Sequence, residues 1–196
     1  MSRNCSAEGI LAGTMSDAES SWGGDAVTDA FVALYGDPCA ECGYSFSRSL
    51  EDAMLLIGAI PGRYEDLVSG ARGDERHPDL SWSVGAYVCH VADNFSIWAE
   101  RLAGVALGPN PEVAPYDENR LADARVYEGI ALAGALFSLE RSVADFALAM
   151  SLARKSGAVM RHPERGTLSL AIVARGVAHD AFHHAWDIER SLAESA

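Results

Sequence analysis

Three of the chain's six histidines fall within residues 176–192, GVAHDAFHHAWDIERSL. His179 and His183 are four residues apart. On a helix such a pair has its Cβ atoms roughly 5–6 Å from one another, a spacing that suits two imidazoles on one ion. Neutral imidazole is a ligand for zinc, nickel, iron or copper. Two satisfied core histidines, or a pH-sensitive pair, are the other readings of the same spacing. At about 100° per residue, Leu168, Ile172, Arg175, His179, Phe182, His183, Trp186 and Arg190 share one side of the helix, and its apolar members mark that side as inward. On this wheel His184 points away, towards solvent. Asp180 and Asp187 face a neighbour or solvent, or orient a ligand imidazole through its second nitrogen.

A metal needs a third ligand, and WSVGAYVCHVADNFSIWAERL (82–102) offers His90. Val84, Val88, Val91, Phe95, Trp98 and Leu102 form the apolar stripe of this segment. His90 lies roughly 120° from the stripe's centre, beside Asn94 and Ile97. Such a flank is structural or exposed, or else lines a pocket between two helices of a bundle. If it lines such a pocket, His90 joins His179 and His183 as the third ligand; if it is structural or exposed, it does not. Arg175, one turn before His179, offers a cation for a substrate carboxylate, or an interhelical salt bridge to Asp93 or Glu100. Asn94 and Trp186 stand beside the proposed ligands, and with Arg175 they are the candidate substrate contacts. His77 and His162 each precede a proline and receive no role. Cys89 reads as a small buried residue.

Cys39-Ala-Glu-Cys42-Gly has knuckle spacing. A packed, reduced pair is one reading. A structural zinc is another, but it needs four ligands, with Cys5, Cys89 or a loop histidine completing the set. Redox function is the third, although the βαβ context of a thioredoxin-like motif is missing.

Four helical stretches are expected to position these residues: about 47–69, with a kink or break at Pro61; 83–105, capped by Ser81 or Ser83; 121–155; and 168–193, capped by Thr167 or Ser169. Residues 158–167 read as a turn with two short extended pieces. Strand-like alternation is nearly absent elsewhere. The expected fold is all-α, a four-helix bundle. Residues 1–36, rich in Ser, Gly, Ala and Asp, read as a mobile extension with one short helix at 25–34, and residues 37–196 as the bundle with its cysteine knuckle.

The chain has 196 residues and a formal charge of −13. A surface this acidic repels phosphate backbones and anionic lipid, so neither nucleic acid nor a membrane is expected as a partner. No apolar run approaches the roughly 20 residues that cross a bilayer. No signal-peptide h-region is read, and the expected location is the cytoplasm. Lys155 is the single lysine beside fourteen arginines, a bias that, with the alanine and glycine load, suggests a GC-rich genome.

The segment around His90, followed some ninety residues later by RGVAHDAFHHAWDIERSL, resembles the DinB-like four-helix-bundle superfamily, and CAECGYSF resembles an N-terminal element of one branch of it. The resemblance spans about residues 39–192. It implies that one histidine of the second helix and an H-x-x-x-H pair of the fourth bind a divalent metal; by position these are His90, His179 and His183. The related mycothiol-dependent maleylpyruvate isomerases place a glutamate where His179 stands, so isomerase chemistry is not specifically implied. The resemblance implies a thiol S-transferase using mycothiol or bacillithiol, and the GC-rich bias leans towards mycothiol. Zinc is the default ion, with nickel and iron also suited to three imidazoles. The implied partners are a small thiol and an electrophilic acceptor, and the protein is a monomer or homodimer. A metallohydrolase, loosely suggested by HDAFH, and a non-catalytic metal- or ligand-binding bundle are the alternatives.

Overall fold

Serine caps start three of the four long helices, two of them, Ser83 and Ser169, among the caps the sequence offers. In the computed structural model, which describes residues 31–108, 112–157, 159–163 and 166–194, Ser49 Oγ accepts from Asp52 N at 3.0 Å and opens α1, Leu50–Leu67. Ser83 Oγ accepts from Ala86 N and opens α2, Val84–Leu107. Ser169 Oγ accepts from Ile172 N ahead of α5, Leu170–Glu194. Each cap satisfies an amide that the first helical turn leaves without a partner. Between α2 and α5 lie a short helix α3, Glu118–Arg125, the long α4, Leu132–Ser156, and an antiparallel hairpin of β1, Met160–His162, and β2, Gly166–Leu168. The extension expected at residues 1–36 lies for the most part outside the described residues, as do Cys5 and most of the helix expected at 25–34; residues 31–35 are helical.

Helices α1, α2, α4 and α5 form the four-helix bundle. Around its axis α1 neighbours α4 and α5, and α2 neighbours the same two, with the α2–α4 seam the most extensive. Phe95 and Phe146, both fully buried, meet edge-to-face across that seam at 5.5 Å. The α2–α5 face carries the chemistry described below.

Two expectations need correction. α1 runs as one helix through Pro61. Ile57, Ile60 and Tyr64 are buried on both sides of it, and the Tyr64 hydroxyl donates to the Ala181 carbonyl at 2.7 Å; this packing offsets the backbone hydrogen bond that proline forfeits. The single helix expected over 121–155 is instead two helices with a turn between. Val126 adopts a left-handed conformation, φ 54°, and a short 3-10 turn follows at Tyr127–Gly129. A β-branched residue there is strained. Its neighbours hold it: Arg125 pairs with Asp93, and the Tyr127 hydroxyl donates to the same carboxylate at 2.5 Å. Buried Asp93 thus takes two charge-assisted contacts from one turn.

The start of α2, which aims His90, is fixed by the loop before it. Glu75 accepts from the amides of Arg72 at 2.8 Å and Gly73 at 2.7 Å. The carbonyls of Gly73 and Glu75 in turn accept from Gly85 and Val84. Gly85 has no room for a side chain, since a Cβ would stand 3.1 Å from the Gly73 oxygen. Burial alone would raise the Glu75 carboxyl, but the backbone amides outweigh it and hold it below its ordinary value of 4.5. A lowered carboxylate stabilises the fold above the unfolded-state value, and that contribution is lost as pH falls through the folded one. Glu75→Ala is expected to cost about 1–3 kcal/mol at pH 7, because it strands two amides. In paired urea titrations the gap between wild type and variant should narrow below about pH 4. An equal gap at pH 7 and pH 3 would contradict this.

Candidate metal centre

The sequence HDAFHH carries two interleaved i,i+4 pairs, His179/His183 and Asp180/His184, one helical step apart. One step is about 100° of rotation, so on α5 the two pairs face different neighbours. The most deeply buried stripe of α5 is not the one the larger apolar residues suggest: Ala174, Ala178, Ala181, Ala185 and Ile188 are all fully buried. Asp180 and His184 lie on the α2 side. His179 and His183 lie on the side covered by residues 31–46.

His90, His179 and His183 are therefore not brought to one point. Among the described residues two sets of potential ligand atoms gather within 4.8 Å: His90 with Asp180 and His184, and Cys39 with Cys42, His179 and His183. His184 is a member of the first set, with its side chain 17% exposed, and not the solvated residue the helical wheel suggests. The reason is the alanine stripe: where alanines let helices approach closely, α5 is buried on more than one face and a wheel weighted to large residues is misaligned.

In the first set, His90 Nε2 lies 3.6 Å and His184 Nε2 3.7 Å from one oxygen of Asp180, Oδ1. These separations are long for hydrogen bonds. They are close to the roughly 3.3 Å between two ligands on a tetrahedral ion with bonds of about 2.0–2.1 Å. The His90 and His184 rings meet edge-to-face, centroids 4.7 Å apart. Among the described residues, buried His90 Nδ1 and Asp180 Oδ2 have no hydrogen-bond partner, an arrangement that costs free energy in a metal-free interior. Asp187, itself buried, accepts at 3.0 Å from His184 Nδ1, the carboxylate contact that fixes a ligand imidazole's tautomer and orientation. Trp82 packs on His90 at 4.9 Å and Tyr87 on His184 at 5.1 Å.

The electrostatics agree with this geometry. Burial would raise the Asp180 carboxyl, but the His184 and His90 imidazoles and the Asn94 side chain hold it well below the carboxylate range. Burial pulls the His90 imidazole down, and the nearby Asp180 carboxylate more than reverses that. His179 differs: burial, with neighbouring His183, pushes it down to about 4. It is thus a neutral imidazole, closed in by Tyr35, Phe46 and Tyr44 at 4.5, 4.7 and 5.6 Å. Burial pushes the Cys42 thiol up to about 11.

His90 and Asp180 open onto a cavity of about 170 Å³ between α2, α5 and the segments at 31–35 and 115–118. Asn94, Trp98, Arg101, Tyr116 and Glu118 line it. The Tyr116 hydroxyl donates to Asn94 Oδ1 at 3.5 Å. The Arg101 guanidinium lies over the Trp98 ring at 4.6 Å and the Tyr116 ring at 5.5 Å. Of the three expected substrate contacts, only Asn94 stands here. The Arg175 Nε–H donates to the Arg48 carbonyl at 2.7 Å and ties α5 to the turn before α1. Trp186 packs on His183 at 5.7 Å, beneath the Arg190 guanidinium. Asp180 and His184 are the candidate ligands that sequence reasoning missed, and the signal for them is the second i,i+4 pair, hidden because its first member is a carboxylate; Asp187 takes the orienting role open to it in the sequence.

Asp187→Asn keeps the shape but weakens the hold on His184. It is expected to lower the affinity of the first set for a divalent ion by about 10–100-fold, as read by competition with a chromogenic chelator. Unchanged affinity would remove Asp187 from the site.

The sequence places this four-helix bundle in a known class. The profile of the DinB superfamily matches residues 63–188, and the chain belongs to that superfamily. No curated protein matches it. Among solved structures it is similar to YfiT from Bacillus subtilis, described as a probable metal-dependent hydrolase with an unusual four-helix bundle topology. The TM-score is 0.62 at 20% identity, with 74% of this chain and 87% of that one covered; a likeness of this degree speaks for the fold. Among the described residues no helix is long and apolar enough to cross a membrane.

Proposed function

We propose that the protein is a divalent-metal-dependent enzyme that joins a low-molecular-weight thiol, with mycothiol favoured, to a small electrophile. The observation that carries this reading is the convergence of His90, Asp180 and His184, the first two of which line the α2–α5 cavity. The donor set fits a borderline ion such as Zn²⁺, with Fe²⁺ or Ni²⁺ also compatible. When bound, a 2+ ion supplies Lewis acidity, the property that makes a thiol nucleophilic at neutral pH.

The chain's own residues do the rest. Asp180 contributes one negative charge and the two neutral imidazoles none, so the centre keeps a net positive charge that favours an anionic sulfur. Three protein ligands leave room for a further one. Trp82 and Tyr87 shield the histidine side from water. Arg101, held over two aromatic rings, places a cation where a carboxylate of the thiol or acceptor can pair with it. Asn94 lowers the Asp180 carboxyl and lines the cavity beside it.

Hydrolysis is the second reading, favoured by one observation: Glu118 lines the same cavity and is near enough to influence His90 and Tyr116. A carboxylate there is placed to accept a proton from water. One experiment separates the two. Zinc-loaded protein is incubated with mycothiol, bacillithiol or glutathione and a panel of epoxides, activated alkenes and alkyl halides, and the products are read by mass spectrometry. Adducts that form with wild type and not with Asp180→Ala support transfer. Cleavage of amides without added thiol, lost in Glu118→Gln, replaces it with hydrolysis. Binding without turnover would overturn both and leave a ligand-binding bundle.

A further inference from the structure

The second set of ligand atoms lies outside the centre just described. We propose that Cys39, Cys42, His179 and His183 form a closed tetrahedral zinc site that staples the N-terminal knuckle to α5. The four side chains each place a ligand atom within 4.8 Å of the others. They come from two elements far apart in sequence, so the cluster is not a by-product of local spacing. Two thiolates and two imidazoles are the donor set of structural zinc, and four protein ligands leave no position open.

Three further observations support it. His179 Nε2 and His183 Nδ1 are buried without a hydrogen-bond partner among the described residues. Glu41 Oε2 lies 3.4 Å from His183 Nε2, the outer carboxylate that commonly steadies a ligand ring. The knuckle backbone is built to turn both sulfurs to one side. Gly43 N–H donates to the Cys39 carbonyl and Cys39 N–H to the Tyr44 carbonyl, while Gly43 takes φ +72°, a conformation glycine adopts without strain.

Charge balance favours the ion as well. Binding releases the two thiol protons, and two thiolates then cancel the 2+ charge. The neutral assembly suits its aromatic surroundings, where an unbalanced charge is costly. The role is structural. Phe31 and Tyr35, which wall the catalytic cavity, lead directly into the knuckle, and Phe31 stacks on Phe46 at 5.6 Å. A zinc staple would hold that wall in place.

The test uses the full chain loaded with Co²⁺ or Zn²⁺. Wild type with Co²⁺ should show thiolate-to-cobalt charge transfer in the near ultraviolet and the intense visible bands of tetrahedral coordination. Wild type with zinc should hold two equivalents by elemental analysis. His184→Ala should keep the charge-transfer band and lose one equivalent. Cys39→Ser/Cys42→Ser should lose the band and the other equivalent. If the catalytic reading is mistaken, His184→Ala loses no zinc while the cysteine variant still does, so the two claims fail separately. Should the cysteine variant not fold, titrating wild type with a mercurial reagent should release one zinc as two thiols are modified. Absence of the band in wild type, full zinc in the cysteine variant, or thiol modification without zinc release would each overturn the proposal.

Discussion

His184→Ala is expected to lower divalent-metal affinity at the His90–Asp180–His184 centre by more than about 100-fold, since loss of an outer-shell partner alone costs about 10–100-fold. His184 Nε2 and His90 Nε2 face the same Asp180 oxygen from α5 and α2, at 3.7 and 3.6 Å. Removing one ring leaves two ligands and leaves Asp187 without its imidazole partner. Turnover should fall with metal occupancy. The comparison that decides the point is His179→Ala, which should leave affinity at this centre unchanged, because His179 belongs to the other set. Chelator-competition titrations of the two variants check both halves. Equal losses in the two would mean that the histidines act on one ion.

Phe146→Ala is expected to cost about 3–5 kcal/mol, the usual range for truncating a fully buried phenylalanine. Phe146 is completely buried on α4 and meets Phe95 of α2 edge-to-face, so the loss combines transferred apolar area, a cavity and an aromatic pair. Against a total stability of about 5–15 kcal/mol, this is a large share. Urea unfolding measures it directly. The same substitution loosens α2, which presents His90. Metal affinity should therefore weaken in Phe146→Ala although no ligand has changed. A loss under about 1 kcal/mol would show that the seam repacks, in contradiction to the close packing described.

The fold was legible because its signals are local. Ser49, Ser83 and Ser169 sit at helix starts, the helices are long and apolar on one side, and Gly108 and Gly157 follow the ends of α2 and α4. The break at residues 126–131 was not legible, since it depends on Asp93, some thirty residues upstream, collecting Arg125 and Tyr127. Pro61 misleads in the opposite sense: a local breaker is overridden by tertiary packing.

The site was half legible. His90 stood out as a flank histidine, and His179 and His183 as an i,i+4 pair. What periodicity does not carry is which neighbour each face of α5 meets. That is decided by the alanine stripe, quiet on any hydrophobic wheel, and by the knuckle wrapping over the far side. The adjacent Asp180/His184 pair was there to read, but a search for paired imidazoles passes over a carboxylate. Knuckle spacing marks the cysteine pair as a possible half-site, but nothing in it names the two α5 histidines now proposed to complete it.

The most direct test is an anomalous-difference map from crystals of the zinc-loaded protein, recorded on both sides of the zinc absorption edge. The account predicts a peak within about 2.0–2.2 Å of nitrogens of His90 and His184 and an oxygen of Asp180. A peak shared by His90 with His179 or His183, or no peak beside His90 at all, would contradict it.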